Sequence, residues 1–457
     1  MAERPSRLCL ALIGSAESLA LFRIALTWVL LRTPELHDAE RWSDVPAALR
    51  VAPVGVGWAL RALPISPALV HLASVVLTLS AVLGLIGLFT RPALIAVTLS
   101  LAYLLLVPQL GGMVLHDHHL LWFAALLAAG PAGDALSVDA ALAAARGRLP
   151  PRPSLAHGLP VRAAWALVAM IFFFPGLWKL RASGLSWIWS DNLQNQILWK
   201  WRETGRAPWP RLDRHPLLCR LAALGAVGFE LSFGVLLLSR RTRALAVALA
   251  LAFHALTAAL LGITFSTLWV CYAMFIDARP LGRRLGRLFA EEVAAVRRVL
   301  ASFPRRPRDQ PAPARRAGPA AVVGAVLLAG NLAFGARGIV NGYPFTCYPT
   351  FQRMAGREMP ALVVERVHAD GTTTEVPQGT SSRELGVARS VAGISGVPVT
   401  DGRLRAYYRF LAGHDAAVTV AAQGAVAVRF RRVTRSVAPE DADRPPLRSE
   451  LLAELPP

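Results

Sequence analysis

The chain has 457 residues, of which 54% are hydrophobic and 17% charged, with a mean hydropathy of +0.44. That balance is far too apolar for a soluble domain of this length and excludes one. The formal net charge of +20 raises nucleic acid as a partner, but the distribution of the basic residues, given below, turns that reading aside.

Apolar windows of the roughly 17–25 residues that cross a bilayer recur along the chain. In order they lie near 10–32, 68–89, 91–113, 118–133, 160–180, 217–238, 243–262, 264–277 and 319–337, the fourth and eighth being short. The first, "LCLALIGSAESLALFRIALTWVLL", has a basic flank and no small-residue cleavage site, so it reads as a retained anchor rather than a signal peptide. Between the last two spans, Arg279 to Arg316 carries eleven arginines against three acids. Positive charge marks the cytoplasmic side of a membrane protein. Alternating the spans from an inside N-terminus places that run, "SRRTR" at 239–243, "ARGRLPPRPS" at 145–154 and Arg4 and Arg7 all inside. The basic excess is therefore topology, and no nucleic-acid partner is expected. Within the same loop, "LGRRLGRLFAEEVAAVRRVLASF" has a helical period with a basic face, suited to an anionic inner leaflet.

After the last span the pattern changes. Residues 343–457 hold alternating runs such as "ALVVERVHADGTTTEVP" and "AVTVAAQGAVAVRFRRV", with Asp-Gly and Gln-Gly as turn signals. The expected architecture is an all-α polytopic membrane domain of about nine helices with a small extracytoplasmic β-rich C-terminal domain. Its parts are a membrane domain at 1–278, a basic cytoplasmic loop at 279–318, a last helix at 319–342, the β-rich domain at 343–440 and a disordered tail at 441–457. "YPFTCYPTFQ", directly after the last span, is expected to fold back on the outer rim. Cys9, Cys219, Cys271 and Cys347 are scattered and give neither a disulfide framework nor zinc spacing. There is no internal repeat, P-loop or dinucleotide fingerprint, so ATP-driven chemistry has no support.

Ionisable residues at membrane depth are rare and point to function or to mutual pairing. Five places qualify: Arg23, the "HDHH" of His116, Asp117, His118 and His119, then Lys179, Glu230 and His254. Arg23 and Glu230 suit a buried ion pair, and His254 suits either a packed core position or a pocket. "HDHH" resembles a metal site, but on a helix only His116 and His119 share a face, and no metal is expected. Lys179 and Lys200 are the chain's two lysines among 49 basic residues. Arginine keeps its proton in essentially any surroundings, whereas a desolvated lysine can serve as a base. Lys179 follows the apolar Phe172–Phe174 and Trp178, which favours a base; a lysine snorkelling to headgroups remains the alternative. Lys200, between Trp199 and Trp201, reads as a headgroup anchor.

"PGLWKLRASGLSWIWSDNLQNQI" resembles the Gly-x-x-Lys-Leu segment of the vitamin K-dependent γ-carboxylase family, which includes bacterial proteins with the horizontally transferred transmembrane (HTTM) domain. "SLALFRIAL", "HDHHLLWFAALLAAGPAGDALSVDA", "ELSFGVLLLSRRTR" and "FHALTAALLGITFSTLWVCYAMF" match in the family's order, over about residues 17–278. The resemblance implies an inner-membrane, multi-pass enzyme that uses a reduced vitamin K or menaquinol-type quinone with oxygen and carbon dioxide. In it Lys179 would be the base and His118 the histidine supporting the anion, with His116, Asp117, His119, Trp178, Trp187 and His254 around the pocket. The chain departs from the carboxylases at Trp178, which replaces a first lysine, and at His116-Asp117-His118, which replaces Asn-Asn-His. Its outer region is also short, so the substrate, a protein or a small molecule, stays open. A non-catalytic quinone- or lipid-binding protein, or a transporter with an Arg23–Glu230–His254 relay, is the alternative.

Overall fold

The computed structural model describes residues 11–33, 36, 39–43, 45–55, 64–111, 116–205, 211–288, 294, 298, 316–346, 348, 351–378, 382–414, 425–441 and 443–456. The membrane domain is built from helices α1 (Ala16–Arg32), α2 (Pro67–Ile86), α3 (Thr90–Leu104), α4 (His118–Ala129), α5 (Val138–Ala145) and α6 (Leu155–Ser183). It continues with α7 (Ser186–Trp189), α8 (Asn192–Thr204), α9 (Pro216–Leu238), α10 (Arg240–Leu261), α11 (Ser266–Trp269), α12 (Arg279–Leu288) and α13 (Gly318–Ala336). Six helices among the described residues are long and apolar enough to cross a membrane: α2, α3 with its extension to Gln109, α6, α9, α10 and α13. The other three expected spans fall on shorter helices. α1 has 17 residues and α4 has 12, while α11 with its tighter continuation covers Ser266–Phe275. Almost every α4 side chain is buried by protein, which is the condition under which a short helix is tolerated at membrane depth.

The helix ends follow from local chemistry. Ser15, Ser66 and Ser137 accept from backbone N–H groups two or three residues into α1, α2 and α5. Pro67 and Pro216 stand in the first turns of α2 and α9, where a missing N–H costs nothing. α6 and α9 cross closely: a Cβ added to Gly176 would lie 2.9 Å from Glu230 Cβ. Glycine at 176 therefore lets α9 approach and sets Glu230 beside the next turn of α6, where Lys179 sits. Arg23, fully buried on α1, donates to the carbonyls of Ala132 at 2.9 Å and Leu136 at 2.5 Å, pinning the turn after α4. It does not pair with Glu230, so the Arg23–Glu230 pair expected from sequence is replaced by two separate anchors. α12 keeps arginines at 279, 283, 284 and 287 and packs its Gly282 against Glu17 of α1. The remainder of the amphipathic helix expected in that loop, Cys9 and Cys347, and the Gln-Gly turn lie outside the described residues.

The C-terminal region is β-rich and also carries two helices absent from the sequence reading. β1 (Val54–Gly55) pairs in parallel with β2 (Gly342–Tyr343), tying the loop after α1 to the chain leaving α13. β3 (Glu358–His368), β4 (Thr373–Glu375), β5 (Ala425–Ser436) and β6 (Arg448–Leu455) form one antiparallel sheet in the order β4-β3-β5-β6. Asp370-Gly371 makes the β3–β4 turn, with Gly371 at φ +80°. Helices α14 (Ser382–Val391) and α15 (Asp401–His414) fill the connection to β5 and bury Val387, Val391, Leu404 and Tyr407 with Val364, Val428 and Phe430. The expected disordered tail is corrected: residues 448–455 are the edge strand β6. Its acids meet the arginines of β5, Glu454 with Arg429 at 2.8 Å and Glu450 with Arg432 at 2.5 Å. That cross-strand complementarity, invisible in the Pro- and Asp-rich composition, recruits the strand.

Candidate functional site

α6, α9 and α10, with α7, α8 and the turn at 263–268, line a cavity of about 370 Å³. Its walls are mainly apolar and aromatic, with Phe172, Phe229, Phe253, Phe265 and Trp187 among them. Polar side chains among its lining include Lys179, Glu230, His116, His254, Gln196, Thr257 and Tyr348. Lys179 Nζ donates to Glu230 Oε1, and both side chains are nearly inaccessible, at 6% and 4%. The same Nζ lies 4.9 Å from the centre of the Trp187 ring, a cation–π position. Such a pair, cut off from water, exists only because each member neutralises the other.

His254 Nε2 is hydrogen-bonded with the Tyr272 hydroxyl at 2.9 Å. Its Nδ1 and the second carboxylate oxygen of Glu230 have no partner among the described residues. Buried polar atoms are almost always satisfied. His116 Nε2 is likewise without a partner among the described residues, and three orphans on residues lining one cavity therefore mark a place for a ligand's polar groups.

The histidine cluster divides. His116 lines the cavity, where burial pushes its imidazole down to about 4 against the opposing pull of Asp117, leaving a neutral ring at pH 7. His118 does not line it. Its ring stands behind Tyr348, 5.8 Å between ring centres, and 5.4 Å from Tyr343. Asp117 accepts from the Thr267 hydroxyl at 2.8 Å, and His119 is bonded through Nδ1 to the His116 carbonyl at 2.9 Å. Trp178, expected at the pocket, turns away and donates to the Gly335 carbonyl on α13 at 2.7 Å. Arg23 does not line the cavity and is bonded to the carbonyls of Ala132 and Leu136, so it is not joined to Glu230 and His254 in a relay. Among the described residues no three His, Cys, Asp or Glu side chains stand together to hold a metal ion.

Tyr348 and Phe351, from the segment after α13, line the cavity and roof it. That segment is held at its start by Trp122 Nε1 donating to the Pro344 carbonyl at 2.8 Å and the Tyr343 hydroxyl donating to the Ala102 carbonyl at 2.5 Å. Beyond the cavity, residues 351–356 run along α7 and α8 and are read through their main chain. Trp187 Nε1 donates to Phe351 O at 2.8 Å, Ser183 to Gln352 O at 3.1 Å, and Gln196 to Arg353 O at 3.2 Å. Asn195 donates to Ala355 O at 2.8 Å, Trp199 Nε1 to Gly356 O at 2.7 Å, and Asn192 Oδ1 accepts from Ala355 N at 2.8 Å. A strap without a strand partner must satisfy its carbonyls through side chains or water, and here side chains take most of them. Sequence reading missed this role of 183–199 because main-chain partners have no residue identity; the run of Trp, Asn and Gln was the signal. Asn192→Ala is expected to cost about 1–3 kcal/mol locally and to speed hydrogen exchange at the Ala355 amide roughly ten-fold or more. Unchanged exchange there would mean that Asn192 does not hold the strap.

Lys200 is corrected as well. It pairs with Glu203 at 2.7 Å, and Glu203 also pairs with Arg389 of α14, joining α8 to the C-terminal region. Burial pushes the Glu203 carboxyl up, but Lys200 and Arg389 together outweigh it and hold it below its ordinary value. Lys200 is thus part of an ion-pair node rather than a headgroup anchor.

The HTTM domain family matches residues 16–278, more than half of the chain, and the matched region contains Lys179, Glu230, His116 and His254. No curated protein and no solved structure matches the chain.

Proposed function

The chain belongs to the HTTM-domain family, and on that premise we propose that it is an integral membrane enzyme oxidising a reduced quinone beside Lys179. The observation that carries the reading is the buried Lys179–Glu230 pair at the wall of an otherwise apolar, ring-lined cavity. The residues fit a hydroquinone ring. Phe172, Phe229 and Phe265 offer flat apolar walls. The unpartnered Glu230 Oε2 and His254 Nδ1 offer hydrogen bonds to its hydroxyl groups. A bound hydroquinone, with oxygen and carbon dioxide as co-reactants, supplies the strong base that removes a carbon-bound proton and opens the way to carboxylation.

The protein's part is proton handling. In a site shielded from bulk water, one proton can pass from Lys179 Nζ to Glu230 Oε1, exchanging an ion pair for a neutral amine and a neutral acid. The neutral Nζ then accepts a proton, and the ammonium so formed balances the negative charge created beside it. Trp187, under the same Nζ, favours that ammonium. His116 and His254 each present a ring nitrogen that can orient a hydroxyl group. His118 would act only through Tyr348, as a support for the wall. Solvent extraction of the purified protein for quinone, followed by addition of menadiol under oxygen, tests the reading. Quinone bound and menadiol oxidised supports it; quinone bound without oxidation of menadiol makes the chain a quinone-binding protein; the absence of both binding and oxidation overturns both readings.

The arginine-rich loop supports an inner-membrane orientation with the N-terminus inside and residues 343–457 outside. Protease added to intact spheroplasts is then expected to remove the last hundred or so residues and to spare 279–316. Cleavage of the loop instead would overturn this topology.

A further inference from the structure

The roof and the side wall of the cavity are built differently. Tyr348 and Phe351 close the top, and the strap behind them is fixed by hydrogen bonds from Ser183, Trp187 and four side chains of α8. Among the described residues, the side facing outward between α9 and α10 has no such cover. Gly225, Leu249, Ala252 and Leu256 line the cavity and are at the same time exposed, Leu256 at 57% and Leu249 at 40%. A Cβ added to Gly225 would meet nothing within 4 Å. Ala222, Gly225 and Ala226 are spaced three and four apart, so one face of α9 is stripped to small residues along this gap. Only 17% of the apolar window of α10 is buried. In a membrane-spanning protein an exposed apolar face of this kind meets lipid. The polar end of the same cavity holds the unpartnered Glu230 Oε2 and His254 Nδ1, both on residues buried to 4% exposure or less.

We infer that the cavity takes its ligand sideways from the bilayer, as an amphiphile whose hydroxylated ring sits at Lys179 and Glu230. Its hydrocarbon tail lies in the gap between α9 and α10, with Gly225 at the lip. The position of the ring rests on the quinone reading above; the route rests on the gap. A tail buried there gains free energy relative to water, but almost nothing relative to lipid. The gap therefore serves passage and fit more than affinity, and filling it acts by obstruction.

The test is binding of menaquinol-4, which has a tail, and menadiol, which has none, to the full-length protein in nanodiscs. Gly225→Leu is expected to weaken menaquinol-4 binding about ten-fold or more, since a tail that cannot leave the cavity must strain or displace the ring. Menadiol, small enough to sit within the cavity, is expected to change by less than about two-fold. Ala252→Leu, on the opposing helix, should reproduce the selective loss, which guards against a folding defect peculiar to position 225. Gly228→Leu is the control, because Gly228 also has open space beside it but does not line the cavity. Equal effects on the two probes, or no effect of either lining variant, overturn the route. Wild type that binds menaquinol-4 with this selectivity yet never oxidises it leaves the route standing and removes the enzymatic reading. Failure of wild type to bind either probe overturns both.

Discussion

Lys179→Arg is expected to leave a folded, membrane-inserted protein that no longer oxidises hydroquinone. Arginine keeps the positive charge and reaches a carboxylate with a rigid fork of donors, so Glu230 stays paired. What arginine cannot do is give up its proton, and the proposed chemistry needs a neutral nitrogen at this atom. General-base catalysis is worth about 10²–10⁴-fold, so the loss should be of that size. Lys200→Arg is the matched control. Position 200 holds an ion pair with Glu203 that arginine can also make, and its function there is structural. Activity in an oxygen-consumption assay with menadiol should therefore survive at 200 and vanish at 179. Equal activity of both variants with wild type would reduce Lys179 to half of a structural ion pair and would remove the main support for an enzyme.

Lysine scarcity made position 179 legible, and depth in an apolar run made Glu230 and His254 legible as well. Their meeting was not. Lys179 and Glu230 are on helices separated by a long stretch of chain, and their contact depends on Gly176 allowing a close crossing. A glycine in an apolar run does not announce which helix it admits. Arg23 shows the complementary failure. Two lone charges of opposite sign in apolar spans suggest a pair, yet Arg23 is satisfied by loop carbonyls, which every residue possesses. The histidine assignment moved for a geometric reason. α4 begins at His118, so His116 stays in the preceding turn and faces the cavity, while His118 is carried behind Tyr348. The roof was readable from its aromatic and proline content; the strap after it, whose main chain is held by side chains of α6, α7 and α8, was not. In the C-terminal region the alternating runs gave β3 and β5, but β6 needed its partner strand's arginines before its own acids had a meaning.

Glu230→Ala is expected to be among the most damaging single changes to stability in the membrane domain. It leaves the Lys179 ammonium buried with no counter-charge, and breaking a buried pair from one side costs about 3–5 kcal/mol. The protein can soften this by releasing the lysine proton, which exchanges the unpaired charge for an unpaired amine. Glu230→Gln removes the charge but keeps a carbonyl oxygen to accept from Nζ, so its cost should be smaller. The double variant Lys179→Met, Glu230→Leu removes both charges and fills the space with apolar groups, and is expected to be as stable as wild type or more so. The order of thermal unfolding midpoints in detergent should therefore be Glu230→Ala lowest, Glu230→Gln next, and the double variant at or above wild type. A double variant as unstable as Glu230→Ala would show that packing, not charge, governs this position. A Glu230→Ala variant indistinguishable from wild type would show that the pair does not form. If the expected order holds, the pair is not needed for folding, which leaves proton handling as the reason two costly charges stand at the wall of an apolar cavity.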